Sequence, residues 1–118
     1  MTPEEAVPRI NDVLAHLWMV RRFLKHAEEI EDDADFLAVP RLIYDSIRAA
    51  EPARERGDTA EFLRRIKGKL GKLRANAEWF AAEYPNVSSH TNFEMASQSY
   101  LASVRQLEEI FDQIQSEG

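Results

Sequence analysis

The chain has 118 residues, of which 44% are hydrophobic and 31% charged, and its formal net charge is −6. These totals exclude a disordered chain and a membrane-spanning one, and the acidic balance disfavours a general affinity for nucleic acid. The absence of cysteine excludes disulfides, thiol nucleophiles and thiolate metal sites, and it fits a reducing cytoplasm. We therefore expect one cytoplasmic domain over residues 1–118, without a membrane span.

The first predicted element is an amphipathic helix that ends near Glu31. It either starts with a cap at Thr2 and is kinked at Pro8, or it starts later with Pro8 in its first turn. Apolar residues recur along it at alternating spacings of three and four, which keeps them on one face. Trp18, Met19 and Phe23 widen this face, which indicates burial against more than one neighbour.

An acidic turn follows at residues 28–35, with six acids and no base. Acids suit the start of a helix, so we expect Asp32 or Asp33 to cap helix 2. The acids alternate as in the calcium loop of an EF-hand, but Ala34 and Pro40 replace the required glycine and glutamate. The sequence therefore indicates a solvated charged turn.

Helix 2 is predicted to kink or break at Pro52, because a proline inside a helix removes a backbone hydrogen bond. Gly57 suits a C-terminal cap, and Asp58 at once offers an N-terminal cap for helix 3, over residues 58–84. Such a short link forces the two helices to lie antiparallel.

The outer side of helix 3 carries six basic residues between Arg64 and Arg74, which we expect to be solvated or to meet a nucleic-acid backbone or an acidic partner. The partner could be the acidic turn of the same copy or of another. Gly68 and Gly71 interrupt this helix, and each costs about 1 kcal/mol relative to alanine. Either a close approach by a neighbouring helix or a second subunit explains them, or the helix tolerates them because the flanking lysines and arginines are good helix formers.

Helix 4 is predicted to begin after a connection in which Ser88, Ser89 or Thr91 can act as the cap. Four helices of similar length joined by short turns predict an all-α fold, an antiparallel up-down-up-down four-helix bundle.

The three histidines do not form a helical metal motif. His16 and His26 point about 80° apart on one helix, and no Glu-x-x-His occurs in the chain. We expect the loop that carries His90 to lie where helix 1 begins, closer to His16 than to His26. The sequence therefore predicts no metal site and no cofactor.

Arg21 is followed after four residues by His26, in the stretch Arg-Arg-Phe-Leu-Lys-His. This spacing resembles the catalytic motif of the HEPN-type ribonucleases, which are also helical bundles. The resemblance implies that Arg21 and His26 act on RNA across a dimer cleft. The sequence departs from the family in two respects: the motif lies in the first helix rather than late in the bundle, and the residue after the arginine is Arg22.

The chain has no glycine-rich phosphate loop, no nucleophile with its base and no cluster of metal ligands, which favours a non-enzymatic module. We expect such a module to bind a partner protein or itself, as a homodimer. The candidate interface residues are Trp18, Gly68, Gly71 and Trp79. The alternative is an enzyme or ligand-binding bundle. Its polar pocket between the helices would contain His16, Arg22, Tyr44 and Tyr100.

Overall fold

The computed structural model of the protein describes residues 1–117, which form four α-helices and, in the described part, no strand. A 3-10 turn follows the first helix and another follows the third, at Glu28–Ile30 and Tyr84–Asn86. The prediction of an all-α fold is confirmed. In chain order the helices are α1 (Pro3–Lys25), α2 (Ala34–Glu55), α3 (Thr59–Glu83) and α4 (Thr91–Glu117).

The helices form the predicted antiparallel four-helix bundle. Each packs mainly against its neighbours in the chain, and α4 closes the bundle against α1. The apolar stripes meet in one core, whose largest fully buried side chains are Tyr100, Phe62, Phe80 and Phe93. Over residues 1–117, no helix combines the length and the apolar character needed to cross a bilayer.

Three of the predicted helix starts are confirmed by side-chain caps. Thr2, Asp33 and Asp58 each accept a hydrogen bond from a backbone N–H three residues later, and Asp33 also accepts one from the residue two positions later. Each cap satisfies a donor that the first helical turn leaves unpaired. Gly57 adopts the positive φ of 73° that a helix C-terminal cap requires, which confirms the short link between α2 and α3.

α1 is shorter than predicted, because it ends at Lys25 rather than near Glu31. The backbone is extended at Ala27 and then forms the first 3-10 turn, which places Ile30 in the core. Carboxylates at the C-terminal end of a helix interact unfavourably with its dipole. It is therefore favourable for α1 to end before the acidic turn.

Pro52 does not break α2, which continues through it to Glu55. Pro52 lies in the last turns of the helix and is exposed. The carbonyl that loses its amide partner there can bind water instead, so the cost is smaller than in a buried helix interior.

His90 caps α4, whereas the sequence predicted Ser88, Ser89 or Thr91. Its Nδ1 atom accepts the Asn92 backbone N–H at 3.0 Å, and the Ser88 hydroxyl accepts the His90 N–H at 3.0 Å. An unprotonated ring nitrogen is an acceptor, so the imidazole replaces the usual cap oxygen.

The expected position of His90 was also wrong. In an antiparallel bundle the first and third connections lie at the same end, so His90 lies where α1 ends. At this end Phe23 and Phe93 pack edge to face with their ring centroids 5.2 Å apart, and His26 and His90 line the same hollow.

Candidate functional site: a basic-aromatic groove

The side chains predicted to form a polar pocket lie in four different places. His16 is exposed in a hollow between α1 and α4, and Arg22 lines the hollow that also contains His26 and His90. Tyr44 lies on the surface between α1 and α2, whereas Tyr100 is fully buried. The bundle therefore does not bring these side chains together around one cavity.

Tyr100 belongs to a polar network inside the bundle. The Asn76 side-chain amide donates to its hydroxyl at 2.8 Å and to the Val39 carbonyl at 3.0 Å, so the network joins α2, α3 and α4. Burial raises the pKa of the Tyr100 hydroxyl well above its ordinary value. A neutral, hydrogen-bonded tyrosine in this position serves packing rather than acid–base chemistry at neutral pH.

Arg21 and His26, the pair suggested by the ribonuclease resemblance, line different hollows. Arg21 faces the groove between α1 and α2, whereas His26 follows the last residue of α1 and faces the hollow near α4. Within one chain the two side chains therefore do not converge on a common substrate position.

The hollow near α4 contains two histidines and two glutamates but has no metal-binding geometry. Among residues 1–117, no group of three or more His, Cys, Asp and Glu side chains is placed to hold a metal ion. Because the cap uses His90 Nδ1 as an acceptor, the neutral ring carries its proton on Nε2. Nε2 is then a donor and cannot bind a metal while the cap is intact.

The candidate interface residues are all at least partly exposed, in separate regions of the bundle. Trp79 is 37% exposed and packs its ring on Phe36, at a centroid distance of 4.9 Å. Gly68 and Gly71 lie on the outer side of α3, and an added Cβ would meet no atom within 4 Å at either position. No neighbouring helix in the described part of the chain approaches them, so that explanation for the two glycines is wrong.

Acidic residues neutralise part of the basic side of α3. Glu61 accepts hydrogen bonds from Arg64 and Arg65, which lower the pKa of its carboxyl group to about 2. Arg74 is bound by Glu108 and Glu78, and these contacts raise the pKa of its guanidinium. No ion pair joins α3 to the acidic turn within the described chain.

The most distinctive surface is a groove between α1 and α2, which we name the basic-aromatic groove. It consists of two hollows. The lower hollow, of about 290 Å³, is lined by Asn11, Leu14, Ala15, Trp18, Ile47, Arg48, Glu51, Arg54 and Phe62. The upper hollow, of about 360 Å³, is lined by Arg21, Lys25, Leu37, Pro40, Arg41, Tyr44 and Asp45.

An aromatic and cationic cluster separates the two hollows. The guanidinium carbon of Arg21 lies 4.4 Å from the Trp18 ring centroid and 4.7 Å from that of Tyr44. The centroids of the two rings lie 5.9 Å apart and their planes are tilted by 37°, so the guanidinium covers both rings. Each contact between a cation and a ring contributes about 0.5–1 kcal/mol at an exposed site, which restrains the Arg21 side chain.

The groove is basic although the chain is acidic. Five basic and two acidic side chains line it. Asp45 Oδ2 lies 4.0 Å from Arg41 Nε, and Glu51 Oε2 lies 3.3 Å from Arg48 Nη1. Both acidic side chains of the groove are therefore paired with an arginine of the groove. Arg21, Lys25 and Arg54 form no ion pair within residues 1–117. The groove therefore presents positive charge beside exposed apolar surface.

The sequence predicted Trp18, Arg21 and Tyr44 as residues of three unrelated sites. Their spacing contains the signal for two of them, since Trp18 and Arg21 are three residues apart and share a helix face. The contribution of Tyr44 depends on the register between α1 and α2, which the sequence does not specify.

Comparisons of the chain with family models, with curated proteins and with solved structures give no match. The geometry and charge of the groove are therefore the guide to its function.

Proposed function

We propose that the protein is an interaction module whose basic-aromatic groove binds an acidic amphipathic segment of a partner protein. The observation that supports this most directly is the cluster of Arg21, Trp18 and Tyr44, flanked by unpaired cations on a chain of net charge −6. Tryptophan, tyrosine and arginine are the residues most enriched among those that dominate binding energy at protein interfaces.

The size and shape of the hollows favour a peptide over a small molecule. Each is close to or just above the lower limit of roughly 300 Å³ for ligand pockets, and both are open to solvent. Each can accept an apolar side chain against residues such as Leu14 or Leu37. The surrounding cations would attract carboxylates of the same segment and favour its association.

A nucleic acid is a less suitable partner for this surface. The Arg21 guanidinium already covers the ring faces on which a base would stack.

The test uses a fluorescently labelled helical peptide of roughly 16 residues, long enough for four turns, with leucines on one face and glutamates beside them. We expect its fluorescence anisotropy to rise with protein concentration, and the affinity to fall as salt is added. A matched peptide with lysine in place of glutamate should not bind.

Two protein variants locate the site. Lys25→Gln combined with Arg54→Gln removes two exposed groove charges, so binding should weaken. Lys72→Gln combined with Arg105→Gln removes two exposed charges outside the groove, on α3 and α4, and serves as the matched control. The proposal fails if both peptides bind equally, if neither binds at concentrations up to about 1 mM, or if single-stranded oligothymidine binds more tightly than the glutamate peptide.

A further inference from the structure

Arg21 is the one groove cation whose position is restrained by two aromatic rings. It is half-buried and forms no ion pair with a carboxylate in residues 1–117. A guanidinium donates through a planar fork that matches the two oxygens of a carboxylate. A restrained fork without an acceptor binds a carboxylate at a smaller entropic cost than a free side chain would.

The two hollows meet at the cluster formed by Trp18, Arg21 and Tyr44. On α1 the lower hollow is lined by residues between 11 and 18, and the upper one by residues 21 and 25. The centres of these two stretches lie eight to nine residues apart, which corresponds to about 13 Å along the helix axis. Trp18 lines the lower hollow and Arg21 the upper one, so the cluster lies at the boundary between them.

A helix that lies along this groove has a defined pattern of side chains. Positions four residues apart rise about 6 Å and lie on nearly the same face. An acidic residue opposite Arg21 would therefore place the residues four before it and four after it about 12 Å apart. That distance matches the spacing of the two hollows.

We propose that Arg21 recognises one aspartate or glutamate of the partner helix, and that apolar side chains four residues before and four residues after it occupy the two hollows. This inference rests on the proposed function, since it specifies which acidic segments the groove prefers. It makes Arg21 the residue that determines specificity, whereas Lys25 and Arg54 contribute general attraction.

The test compares three labelled peptides of nearly identical composition. The first has leucine, glutamate and leucine at successive intervals of four residues. In the second, glutamine replaces the central glutamate. In the third, the central glutamate exchanges places with the alanine two residues away, which moves it off the contact face. We expect the second and third peptides to bind about tenfold more weakly or worse, as loss of a charge-assisted pair predicts.

Arg21→Lys keeps the charge and removes the planar fork. We expect this variant to bind the first peptide about tenfold more weakly or worse, and to distinguish little between the first and second peptides. Loss of that distinction is the decisive readout, because a purely structural defect would weaken both peptides equally. Arg105→Lys is the control, and circular dichroism verifies that each variant is folded.

The possible outcomes separate the two proposals. If all three glutamate-rich peptides bind the wild-type protein with equal affinity, the groove still binds acidic segments but the assignment of Arg21 is refuted. The same conclusion follows if Arg21→Lys distinguishes the first two peptides as well as the wild type does. If none of the peptides binds, the proposed function itself is refuted.

Discussion

The network of Asn76, Tyr100 and Val39 provides a quantitative test of how the bundle interior is held together. Tyr100 is fully buried, and the hydrogen bond to its hydroxyl comes from Asn76 at 2.8 Å. Tyr100→Phe removes one hydrogen bond and leaves Asn76 bonded to the Val39 carbonyl. A typical buried hydrogen bond contributes about 1 kcal/mol, so we expect a loss of about that size in the free energy of unfolding.

Asn76→Ala should cost more, because it leaves the Tyr100 hydroxyl buried without a partner. Such a group costs about 1–3 kcal/mol, and we expect a total loss of about 2–3 kcal/mol. In the Asn76→Ala background, Tyr100→Phe should instead recover about 1 kcal/mol or more, since it removes the unpaired hydroxyl. The coupling energy between the two positions is therefore about 2 kcal/mol or more.

Urea unfolding of the wild type, both single variants and the double variant measures all four free energies. Asn86→Ala, an exposed substitution in the second 3-10 turn, is the control and should change stability by less than about 0.5 kcal/mol. If Tyr100→Phe has the same cost with and without Asn76, the hydrogen bond does not couple the two residues and the reasoning is refuted.

Two further predictions concern α3. Gly68→Ala and Gly71→Ala should each stabilise the protein by about 1 kcal/mol in thermal or urea unfolding, because the added methyl groups meet no atom of a neighbouring element of the described chain within 4 Å. A lower stability, or a lower mass by light scattering, would instead show that a second subunit packs against these two positions. Glu61 stabilises the folded state above its ordinary pKa of 4.5, and this contribution should disappear as the pH falls towards its folded pKa of about 2. The melting temperatures of the wild type and Glu61→Gln should therefore differ at neutral pH and converge near pH 2, and a constant difference over that range would contradict the assignment.

The architecture could be predicted because it depends on local patterns. The alternating spacings of three and four specified four helices, and the caps at Asp33 and Asp58 specified where two of them begin. The prediction for the end of α1 failed because the apolar pattern continues to Ala27 and Ile30 beyond the last helical turn. A buried residue in a 3-10 turn contributes to the core just as a helical one does, and periodicity alone does not distinguish them.

The groove could not be predicted, because it depends on how two helices are aligned. Tyr44 lies opposite Trp18 only in the observed register of α2 against α1. In the sequence the two residues are separated by the acidic turn, whose length and 3-10 conformation fix that register. Asn76 was overlooked for a related reason, since its acceptors, the Val39 carbonyl and the Tyr100 hydroxyl, belong to two other helices.

The contrast between Asn76 and Arg21 explains why the groove is the better candidate site. Both are polar groups held in fixed positions by neighbouring helices. The Asn76 amide nitrogen donates to two acceptors within the bundle, which stabilises one arrangement of the helices. Two aromatic rings hold the Arg21 guanidinium through their faces, but within the described chain the N–H donors of its planar fork have no hydrogen-bond acceptor, and no carboxylate binds it. A polar group that the fold restrains but leaves without an acceptor is suited to bind one from another molecule, and in this bundle that group faces an open groove.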